Sequence, residues 1–595
     1  MARPALGGTE GGGGVIILGI NAYHAEASAT LLRDGELVAA VEEERFSRIK
    51  HVAGFPTEAI RYCLREAGIR PEEIDAIALS RNPGTHLVAK GMRALRQGLF
   101  APSIRGRLPL LQEIRNLRGS VAKTLDCDPT KIRASVHCVE HHRAHIASSY
   151  YPSGWDSSVI LSLDGFGDFL SGMWGTGRGN RLEVRGEAPF PHSLGILYTA
   201  VTQFLGFTAW GDEYKVMGLA AYGRPDKFRP AFEKLLQETP RRLGYKLPLE
   251  YFRHQTAEGV PMAWASGAPS LETLFSSRIE ELLGPPRQPN GPMADQHADI
   301  AAALQERLEA VVLSLLRKLG THYRTPRLCY AGGVALNCSL NGKISSETPF
   351  QEIFIQPAAH DAGTSLGAAL YVAHHIHGQP RRFVMKHAAW GPATQGAGCR
   401  QALLEKRLPF REMDETVLCR TAAEALSGGK IVGWFQGRME FGPRSLGHRS
   451  LLADPRDPKM KDYINEKIKR RETFRPFAPS LIREAVPAYF PGGHPDPFML
   501  FAYPVAQEKG PLIPAAVHHD GTGRLQSVDA QADPLFWSLL KEFEKRSGIP
   551  VLLNTSFNEQ EPIVCRPEEA VACFQRNAID CLALGPYWVE RPKNE

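Results

Sequence analysis

The sequence predicts an α/β protein of two domains, a larger N-terminal domain with an internal repeat and a smaller C-terminal domain. Two hairpin-led segments with the same order of strands and turns indicate the repeat. A connection containing Pro and Gly then separates them from a new mixed α/β pattern. We therefore assign residues 15–380 to the first domain, 381–398 to a linker and 399–595 to the second domain.

The composition is that of an ordinary globular protein. The chain has 595 residues, of which 43% are hydrophobic and 23% charged, and its formal charge is +6. This small excess allows anionic small ligands but predicts no broad nucleic-acid surface. The ten cysteines form no C-x-x-C pair, so neither a zinc knuckle nor a disulfide framework is predicted, and a reducing cytoplasm fits best.

The start of the chain predicts a flexible tail and no membrane anchor. Met1–Gly14 ends in four glycines and lacks the apolar core of a signal peptide. The apolar run Val15–Ile20 is far too short to cross a bilayer, which takes about 20 residues. We therefore expect a soluble, cytoplasmic protein without a membrane partner.

The first hairpin unit opens the N-terminal domain. A strand in VIILGINAYH ends at His24, and a strand pair that turns at Asp34-Gly35 follows, because Asp-Gly between apolar runs is a strong hairpin signal. The amphipathic segment Thr57–Ala67, closed by a glycine, predicts a helix, and Ile74–Leu79 predicts a short strand.

The second unit repeats this order in SSVILSLDGFGDFLSGMWGTGRGNRLEVRGEAPF. A third glycine turn, in TPRLCYAGGVALNCSLNGKI, places Gly332 and Gly333 between a strand and a helix. Two hairpin-led units in one domain are typical of the duplicated fold of actin, Hsp70 and sugar kinases, in which both hairpins face a nucleotide. Gly332, Gly333 and the nearby Asn337 are expected on its adenosine side, since glycines let a helix N-terminus approach closely.

A group of histidines and aspartates predicts a metal site. His141 and His145 are spaced i, i+4, so on a helix they share one face. Asp164 ends the first strand of the second unit, and Asp361 lies beside a helix start. Two imidazoles with carboxylates suit a first-row divalent ion such as iron, manganese or zinc. The alternative is a pair of histidines on an ordinary helix face.

An arginine-rich segment predicts an anion site in the second domain. The segment Gly433–Arg456 surrounds a Gly-Pro turn with four arginines, Arg438, Arg444, Arg449 and Arg456. Guanidinium groups suit a bidentate hold on phosphate or carboxylate. Further along, Lys469, Arg524 and Ser556 of LNTSFN could complete a pocket for a small phosphorylated ligand. The alternative is a surface loop with incidental arginines.

Taken together, these segments resemble the NodU/CmcH family of O-carbamoyltransferases. The matching segments follow the family order over nearly the whole chain, and they are GINAYHAEASATLL, VEEERFSRIKHVAGFP, HHRAHIASSYY, LSLDGFGD, GDEYKVMGLAAYG, YAGGVALNC, PAAHDAGTSLGAAL, GRMEFGPRSLGHRSLLADPR, FRPFAPS and LNTSFN.

The resemblance implies both a fold and a reaction. The N-terminal domain would be like the threonylcarbamoyl-transfer protein of tRNA modification, and the C-terminal domain would have a YrdC-like fold. Carbamoyl phosphate and ATP would yield carbamoyl-adenylate, which carbamoylates a hydroxyl of a small molecule. AMP, pyrophosphate and phosphate would be released, and Mg²⁺ would accompany the ATP.

The resemblance also implies roles for individual residues. It assigns His141, His145, Asp164 and Asp361 to an iron-type metal, and Arg444, Lys469, Arg524 and Ser556 to carbamoyl phosphate. It makes His24 the base at the acceptor hydroxyl, although a buried structural histidine is the alternative. Lys50 or Lys215 would neutralise the adenylate phosphate, and a solvated Lys215 is the alternative. This chain departs from many members at Ala25-Glu26, where they have a shorter acidic residue, which puts the role of Glu26 in doubt.

Other readings stay open. The stretch Lys459–Arg475 is basic enough to touch RNA phosphates, as in a tRNA-modifying transferase, but acidic residues interrupt it and no aromatic platform accompanies it. A small-molecule kinase or a non-catalytic nucleotide-binding protein on the same fold are further alternatives. The stretches Thr85–Arg118 and Tyr245–Pro292 are expected to shape the acceptor pocket without identifying the acceptor. The oligomeric state is open, a homodimer included.

Overall fold

The fold is described from a computed structural model that covers residues 14–97, 108–239, 243–256, 262–263, 267–394 and 396–591. Except for Gly14, the tail expected at Met1–Gly14 lies outside these residues, as do 98–107, 257–261 and 264–266 of the two stretches expected to shape the acceptor pocket. No helix in the described ranges combines the length and the apolar character needed to span a bilayer.

The helices of seven residues or more are Thr57–Ala67, Leu87–Gln97, Leu108–Arg115, Leu117–Thr124, His141–Tyr150, Leu194–Phe204, Glu213–Ala220, Arg229–Leu235, Asp295–Tyr323, Cys338–Glu347, Gly363–Leu370, Gly396–Glu405, Glu415–Ser427, Pro534–Ser547 and Pro567–Arg576. The helix predicted at Thr57–Ala67 is confirmed with the same bounds, and Gly68 ends it in the left-handed region.

The first sheet has five strands in the order β3-β2-β1-β4-β5, namely β1 (Ile16–Asn21), β2 (Ser28–Arg33), β3 (Glu36–Glu42), β4 (Ala76–Leu79) and β5 (Ser135–Cys138). The first three strands form an antiparallel meander, and β4 and β5 add in parallel beside β1. Asp34 and Gly35 both have positive φ at the β2–β3 turn, which confirms the hairpin predicted there.

The second sheet repeats this arrangement in the order β14-β13-β6-β7-β8. Its strands are β6 (Ser157–Gly167), β7 (Leu170–Arg178), β8 (Arg181–Pro189), β13 (Arg327–Ala331) and β14 (Glu352–Ile355). Between β8 and β13 lie four two-residue strands, β9 (Gln237–Glu238), β10 (Tyr245–Lys246), β11 (Met262–Ala263) and β12 (Ser270–Leu271). The antiparallel meander and the two parallel strands match the first sheet, so the predicted internal repeat is confirmed.

Two helices pack against each other between these sheets. The helices His141–Tyr150 and Gly363–Leu370 approach so closely that a Cβ on Gly367 would lie 1.8 Å from the carbonyl oxygen of Ala144. This contact brings the N-terminal ends of the two helices, and with them the predicted metal ligands, to one side of the sheets.

The C-terminal part of the chain forms a nine-stranded mixed sheet in the order β16-β25-β24-β17-β19-β23-β20-β22-β21. Its strands are β16 (Arg411–Glu412), β17 (Val432–Phe435), β19 (Arg449–Ala453), β20 (Ala478–Ile482), β21 (Phe501–Pro504), β22 (Thr522–Val528), β23 (Val551–Ser556), β24 (Cys581–Leu584) and β25 (Tyr587–Glu590). A two-stranded ribbon of β15 (Ala389–Ala393) and β18 (Arg438–Glu440) precedes the turn at Gly442. The protein is thus of the mixed α/β class that its sequence predicts.

Buried hydrogen bonds join the first hairpin unit to the C-terminal part of the chain. The N–H of Gly442 donates to Glu42 Oε1 at 2.8 Å, and Arg45 donates both to Glu42 and to the carbonyl of Gly442. Gly442 has a φ of 122°, and a Cβ there would lie 2.8 Å from the carbonyl oxygen of Pro357. Only glycine fits this turn, because both its conformation and its surroundings exclude a side chain.

Three of the four arginines in Gly433–Arg456 have structural roles, which corrects the prediction that the segment acts as one anion site. Arg438 donates to backbone carbonyls across the same junction. Arg449 is fully buried over the ring of Phe435 and donates to four carbonyls. Arg456 pairs with Asp454. These three side chains donate to protein oxygens, although Arg449 Nε is buried without a partner. Arg444 is the arginine of this segment that lines the cavity between the two parts of the chain.

We expect Gly442→Ala to destabilise the protein more than Gly429→Ala. Both glycines have positive φ, at 122° and 80°, but a Cβ on Gly429 would meet nothing within 4 Å. The backbone conformation alone costs about 1 kcal/mol, and overpacking against Pro357 adds about 1–3 kcal/mol in Gly442→Ala. Urea denaturation of the two variants measures the difference, and equal midpoints would contradict the tight fit described for Gly442.

Candidate functional site

One continuous cavity of ≈1980 Å³ lies between the first two sheets and the C-terminal part of the chain. Its wall includes the predicted residues His24, Asp164 and Asp361 from the N-terminal domain, and Arg444 and Arg524 from the C-terminal domain. The cavity also reaches Ser556, Gly333, Asn337 and Lys50. The two groups predicted from separate parts of the sequence therefore line the same cavity.

The four predicted metal ligands converge. One side-chain donor atom from each of His141, His145, Asp164 and Asp361 lies within 4.8 Å of the others. The two Nε2 atoms are 3.1 Å apart, and each has a carboxylate oxygen at 3.2 to 3.3 Å. Around a tetrahedral ion with bonds of about 2.0–2.1 Å, ligand atoms are about 3.4 Å apart. The donor set and its spacing therefore fit a first-row divalent ion.

Local structure fixes these ligands in place. His141 starts its helix next to Gly167, where a Cβ would lie 1.9 Å from the imidazole, so the glycine makes room for the ring. Asp168 accepts the backbone N–H of His141 at 3.0 Å. The backbone N–H of Gly333 donates to Asp164 Oδ1 at 2.8 Å, which leaves Oδ2 facing the histidines.

The two carboxylates also set the charge of the group. Burial alone would lower the pKa of His145, but hydrogen bonds to Asp164 and Asp361 raise it to about 9. Burial alone would raise the pKa of Asp164. The hydrogen bonds from both histidines outweigh the effect of burial and hold the pKa of Asp164 well below its usual range. Both carboxylates are therefore ionised at neutral pH and attract positive charge, whether protons or a metal ion.

Asp361 connects the ligand group to His24. Its Oδ1 lies 3.3 Å from His145 Nε2, while its Oδ2 lies 3.1 Å from His24 Nδ1. The hydrogen bond fixes the proton of His24 on Nδ1 and leaves Nε2 as the basic atom. Burial lowers the pKa of His24 despite the nearby Asp361, so the imidazole is neutral at pH 7 and able to take a proton.

Glu26 pairs with two other histidines rather than with His24. Its carboxylate lies 2.6 Å from His51 Nδ1 and 3.4 Å from His360 Nε2. Burial raises the pKa of Glu26, but His51 and His360 lower it to about 2, and the same pair raises the pKa of His51 to about 9. Asp361 rather than Glu26 is thus the carboxylate that orients His24.

Arg444 and Arg524 form the charged wall of the C-terminal part of the cavity. Burial lowers the pKa of both guanidinium groups, and Arg524 lowers that of Arg444 further through charge repulsion. Neither makes an ion pair with a carboxylate of the described residues, and both Nε atoms are buried without a hydrogen-bond partner. Two partly buried cations without an ion-pair partner are costly, and an anion bound between them would reduce that cost.

Lys469 lies behind this wall rather than in it, which corrects its predicted contact with the ligand. Its ammonium group donates to the carbonyls of Ser556 and Asn558 and to Asn558 Oδ1, the last at 2.7 Å. These acceptors use all three N–H donors, so Lys469 holds the loop that presents Ser556 to the cavity. The hydroxyl of Ser556 donates to Asn558 Oδ1 at 2.7 Å.

Two cations that the sequence prediction missed line the cavity instead. Arg471 and Arg475 end the basic stretch Lys459–Arg475, and both belong to the cavity wall. Burial and repulsion by Arg475 lower the pKa of Arg471, while Arg475 donates to the hydroxyl of Tyr214 at 2.8 Å. Arg475 could have been predicted to line the site from its position in the FRPFAPS segment.

The predicted nucleotide residues divide into two groups. Gly333, Asn337 and Lys50 line the cavity, and burial lowers the pKa of Lys50. Asn337 also accepts the N–H of Leu340 and so caps the helix that begins beside it.

Gly332 and Lys215 are outside the wall. Gly332 has a φ of 92°, and a Cβ there would lie 2.1 Å from the carbonyl oxygen of Leu163, so this glycine permits the turn. Lys215 pairs with Asp212 at 2.8 Å and lies over the ring of Phe207. The structure therefore does not place either residue against a ligand in the cavity.

Comparison with known proteins gives the class of this site. Residues 16–370 match the model of the carbamoyltransferase N-terminus, and residues 423–591 match that of the carbamoyltransferase C-terminus. Together the two models define an enzyme that transfers a carbamoyl group. The chain belongs to the carbamoyltransferase family.

Individual relatives are similar over most of their length. The chain is 38% identical to nodulation protein NolNO of Sinorhizobium fredii, over 96% of this chain and 80% of that protein. It is 38% identical to nodulation protein NolO of Bradyrhizobium diazoefficiens, over 76% of this chain and 79% of that protein. An uncharacterized protein of Synechocystis is 39% identical, over 96% of this chain and 95% of that protein.

Among solved structures, HypF of T. kodakarensis overlaps 62% of this chain and 49% of its own, at 13% identity and a TM-score of 0.30. This overlap is too slight to bear on function.

We expect His141→Ala and Asp361→Ala to lose a metal ion that the purified protein holds at about one per chain. Each variant removes one of the four converging donors, which weakens the binding of the ion. His142→Ala is the matched control, because His142 pairs with Ser162 and lies outside the four ligands. Elemental analysis of folded protein measures the content, and full occupancy in both ligand variants would refute this ligand set.

Proposed function

We propose that this carbamoyltransferase is an ATP-dependent O-carbamoyltransferase that acts through carbamoyl-adenylate on a hydroxyl of a small molecule. Overall, carbamoyl phosphate, ATP, water and the hydroxyl compound give the carbamate ester, AMP, pyrophosphate and phosphate. The observation that carries the proposal is the single cavity whose wall includes the unpaired Arg444 and Arg524 as well as His24 and the carboxylates of Asp164 and Asp361.

The first half of the reaction uses the arginine wall. Carbamoyl phosphate carries its charge on the phosphate, which suits two unpaired guanidinium groups with Ser556 beside them. Water cleaves the carbamoyl–oxygen bond and phosphate leaves, so carbamate remains. A carbamate oxygen then attacks the α-phosphorus of ATP, and the bond to pyrophosphate breaks. Carbamoyl-adenylate and pyrophosphate are the products.

The second half of the reaction uses His24. The acceptor oxygen attacks the carbamoyl carbon, and Nε2 of His24 takes the hydroxyl proton. The bond between the carbamoyl carbon and the AMP oxygen breaks, and its electron pair leaves with AMP. Asp361 keeps the imidazole in the required tautomer through Nδ1. A divalent ion held by His141, His145, Asp164 and Asp361 would supply positive charge against the adenylate phosphate.

The assignment of the two half-reactions to two domains is part of this proposal. We place adenylate binding and transfer in residues 15–380, with an actin-like fold, and carbamoyl phosphate binding in residues 399–595, with a YrdC-like fold. We assign iron to the ligand group ahead of manganese or zinc, and Mg²⁺ to the ATP. An enclosed path between the two sites would protect carbamate and carbamoyl-adenylate from water.

ATP turnover in the presence of carbamoyl phosphate should release AMP and pyrophosphate, because the reaction breaks the bond at the α-phosphorus. Chromatography of the nucleotides with a panel of hydroxylated acceptors measures this. Release of ADP would refute the adenylate route and favour a kinase, and activity that requires tRNA would favour the RNA-modifying alternative.

Arg444→Ala and His24→Ala should fail at different steps. Arg444→Ala removes one of the two arginines of the anion site. This variant should lose the exchange of pyrophosphate into ATP that depends on carbamoyl phosphate. It should still carbamoylate the acceptor when synthetic carbamoyl-adenylate is supplied. His24→Ala should retain exchange and transfer about 10²–10⁴-fold more slowly, as expected for a missing general base.

The matched control is Arg456→Ala, which removes an arginine of the same segment that pairs with Asp454 outside the cavity wall. It should retain both half-reactions. The separation of the two sites fails if His24→Ala loses exchange as severely as Arg444→Ala, or if supplied carbamoyl-adenylate does not restore transfer in Arg444→Ala.

A further inference from the structure

A tyrosine from the N-terminal part of the chain reaches the cations of the C-terminal part. Tyr214 lies in the first turn of the helix Glu213–Ala220 and belongs to the cavity wall. Arg475 has its guanidinium carbon 4.6 Å from the centroid of the tyrosine ring. It also donates from Nη2 to the tyrosine hydroxyl at 2.8 Å. Both residues line the cavity, so their contact joins its two sides.

The packing of this helix fixes the position of Tyr214. Gly218, one turn further along the helix, faces Pro476, and a Cβ on Gly218 would lie 3.3 Å from Pro476 Cδ. Lys215 Nζ lies 3.9 Å from Glu472 Oε1. The helix is thus in contact with residues 472–476 of the C-terminal part of the chain, and its first turn lies beside their cations.

Two more arginines of the cavity wall lie near the same phenol. Burial lowers the pKa of Arg444 and of Arg471, and Tyr214 is among the groups that oppose this effect. Arg524 lies near Arg444 and lowers the pKa of Arg444 through charge repulsion. The phenol of Tyr214 is therefore beside the arginines that form the anion site described above.

The hydroxyl of Tyr214 keeps its own hydrogen for another partner. A phenol carries one O–H donor, and in the bond from Arg475 its oxygen is the acceptor. No group of the described residues accepts the O–H of Tyr214. The side chain is 37% exposed and belongs to the cavity wall, so the O–H is open to a molecule bound in the cavity.

The nearby carboxylates do not take up this hydrogen. Glu472 pairs with Arg475 at 3.5 Å and is not part of the cavity wall. Asp520 belongs to the wall, and its Oδ1 accepts the N–H and the hydroxyl of Thr522. An acceptor for the O–H of Tyr214 therefore has to come from a bound molecule.

These contacts point to a second role for the phenol. We propose that the hydroxyl of Tyr214 binds the anion held by Arg444 and Arg524, by donating a hydrogen bond to one of its phosphate oxygens. The proposal rests on the function proposed above, which identifies that anion as carbamoyl phosphate. The bond from Arg475 polarises the O–H and strengthens it as a donor, and a bond to a charged oxygen is stronger than one between neutral groups. Carbamoyl phosphate is then bound by residues from both parts of the chain.

Binding of inorganic phosphate tests this role. Radiolabelled phosphate is dialysed to equilibrium against the full chain. Tyr214→Phe keeps the ring over Arg475 and removes only the hydroxyl, so it should bind phosphate about 10-fold more weakly than the unaltered chain. Arg524→Gln should also weaken binding, which locates the phosphate at the arginines. Tyr463→Phe is the matched control, because Tyr463 is 44% exposed and outside the cavity wall. It should bind phosphate like the unaltered chain.

A second substitution separates donation to phosphate from support of Arg475. In 3-fluorotyrosine the fluorine makes the phenol a stronger hydrogen-bond donor and a weaker acceptor. In place of Tyr214 it should therefore tighten phosphate binding, whereas a phenol that only holds Arg475 would hold it less well and loosen phosphate binding. Dialysis at about pH 6 keeps the phenol protonated.

Four results would overturn the proposal. They are equal phosphate binding by Tyr214→Phe and the unaltered chain, unchanged or weaker binding with 3-fluorotyrosine, undiminished binding by Arg524→Gln, and no measurable binding by the unaltered chain. The dialysis contains neither ATP nor carbamoyl phosphate, so its result does not depend on the carbamoyl-adenylate route. Weaker binding by Tyr214→Phe together with ADP release would refute the proposed reaction and keep the role of Tyr214. AMP release without an effect of Tyr214→Phe would do the reverse.

Discussion

The geometry of the cavity depends on how the Gly442 turn is held. Glu42 and Arg45 of the first hairpin unit bind its N–H and its carbonyl, and Pro357 closes the space where a side chain would be. Arg444 follows this turn by two residues, and Asp361 follows Pro357 by four. One contact therefore sets the distance between the arginine wall and the metal ligands. Burial raises the pKa of Glu42 and Arg45 opposes it, so loss of either partner would leave a buried charge uncompensated.

Two carboxylates at the cavity each contact more than one neighbouring group. Asp361 faces the histidine pair with one oxygen and His24 with the other. Asp168 accepts the backbone N–H groups of Asn82 and His141. A change at either carboxylate would alter the ligand group and its surroundings together. Effects of such variants on metal content and on transfer should not be additive.

The hairpin units and the convergence of His141, His145, Asp164 and Asp361 could be predicted because their signals are local. Asp-Gly hairpins, the i, i+4 histidines and aspartates at the ends of strands each depend on a few neighbouring residues. The roles of the cations could not be predicted in the same way. Lys469 and Arg449 have the residue types expected of an anion site, but backbone carbonyls that the fold brings to them accept most of their N–H groups. Lys215 pairs with Asp212, three residues before it. Which cations line the cavity thus depends on tertiary packing as well as on local pairs.

On the proposed route, this distinction also bears on why both half-reactions use one cavity. Arg444 and Arg524 gain most from an anion because neither forms an ion pair in the described residues, and Asp496 offsets only part of the effect of burial on the pKa of Arg524. A paired cation would first have to lose its partner. On the proposed route, the product made beside them decomposes if it reaches bulk water. A continuous cavity keeps it at high effective concentration near His24, as a linker does for two joined binding modules. The Gly442 turn that positions Arg444 thus also keeps Arg444 and His24 on the wall of one continuous cavity.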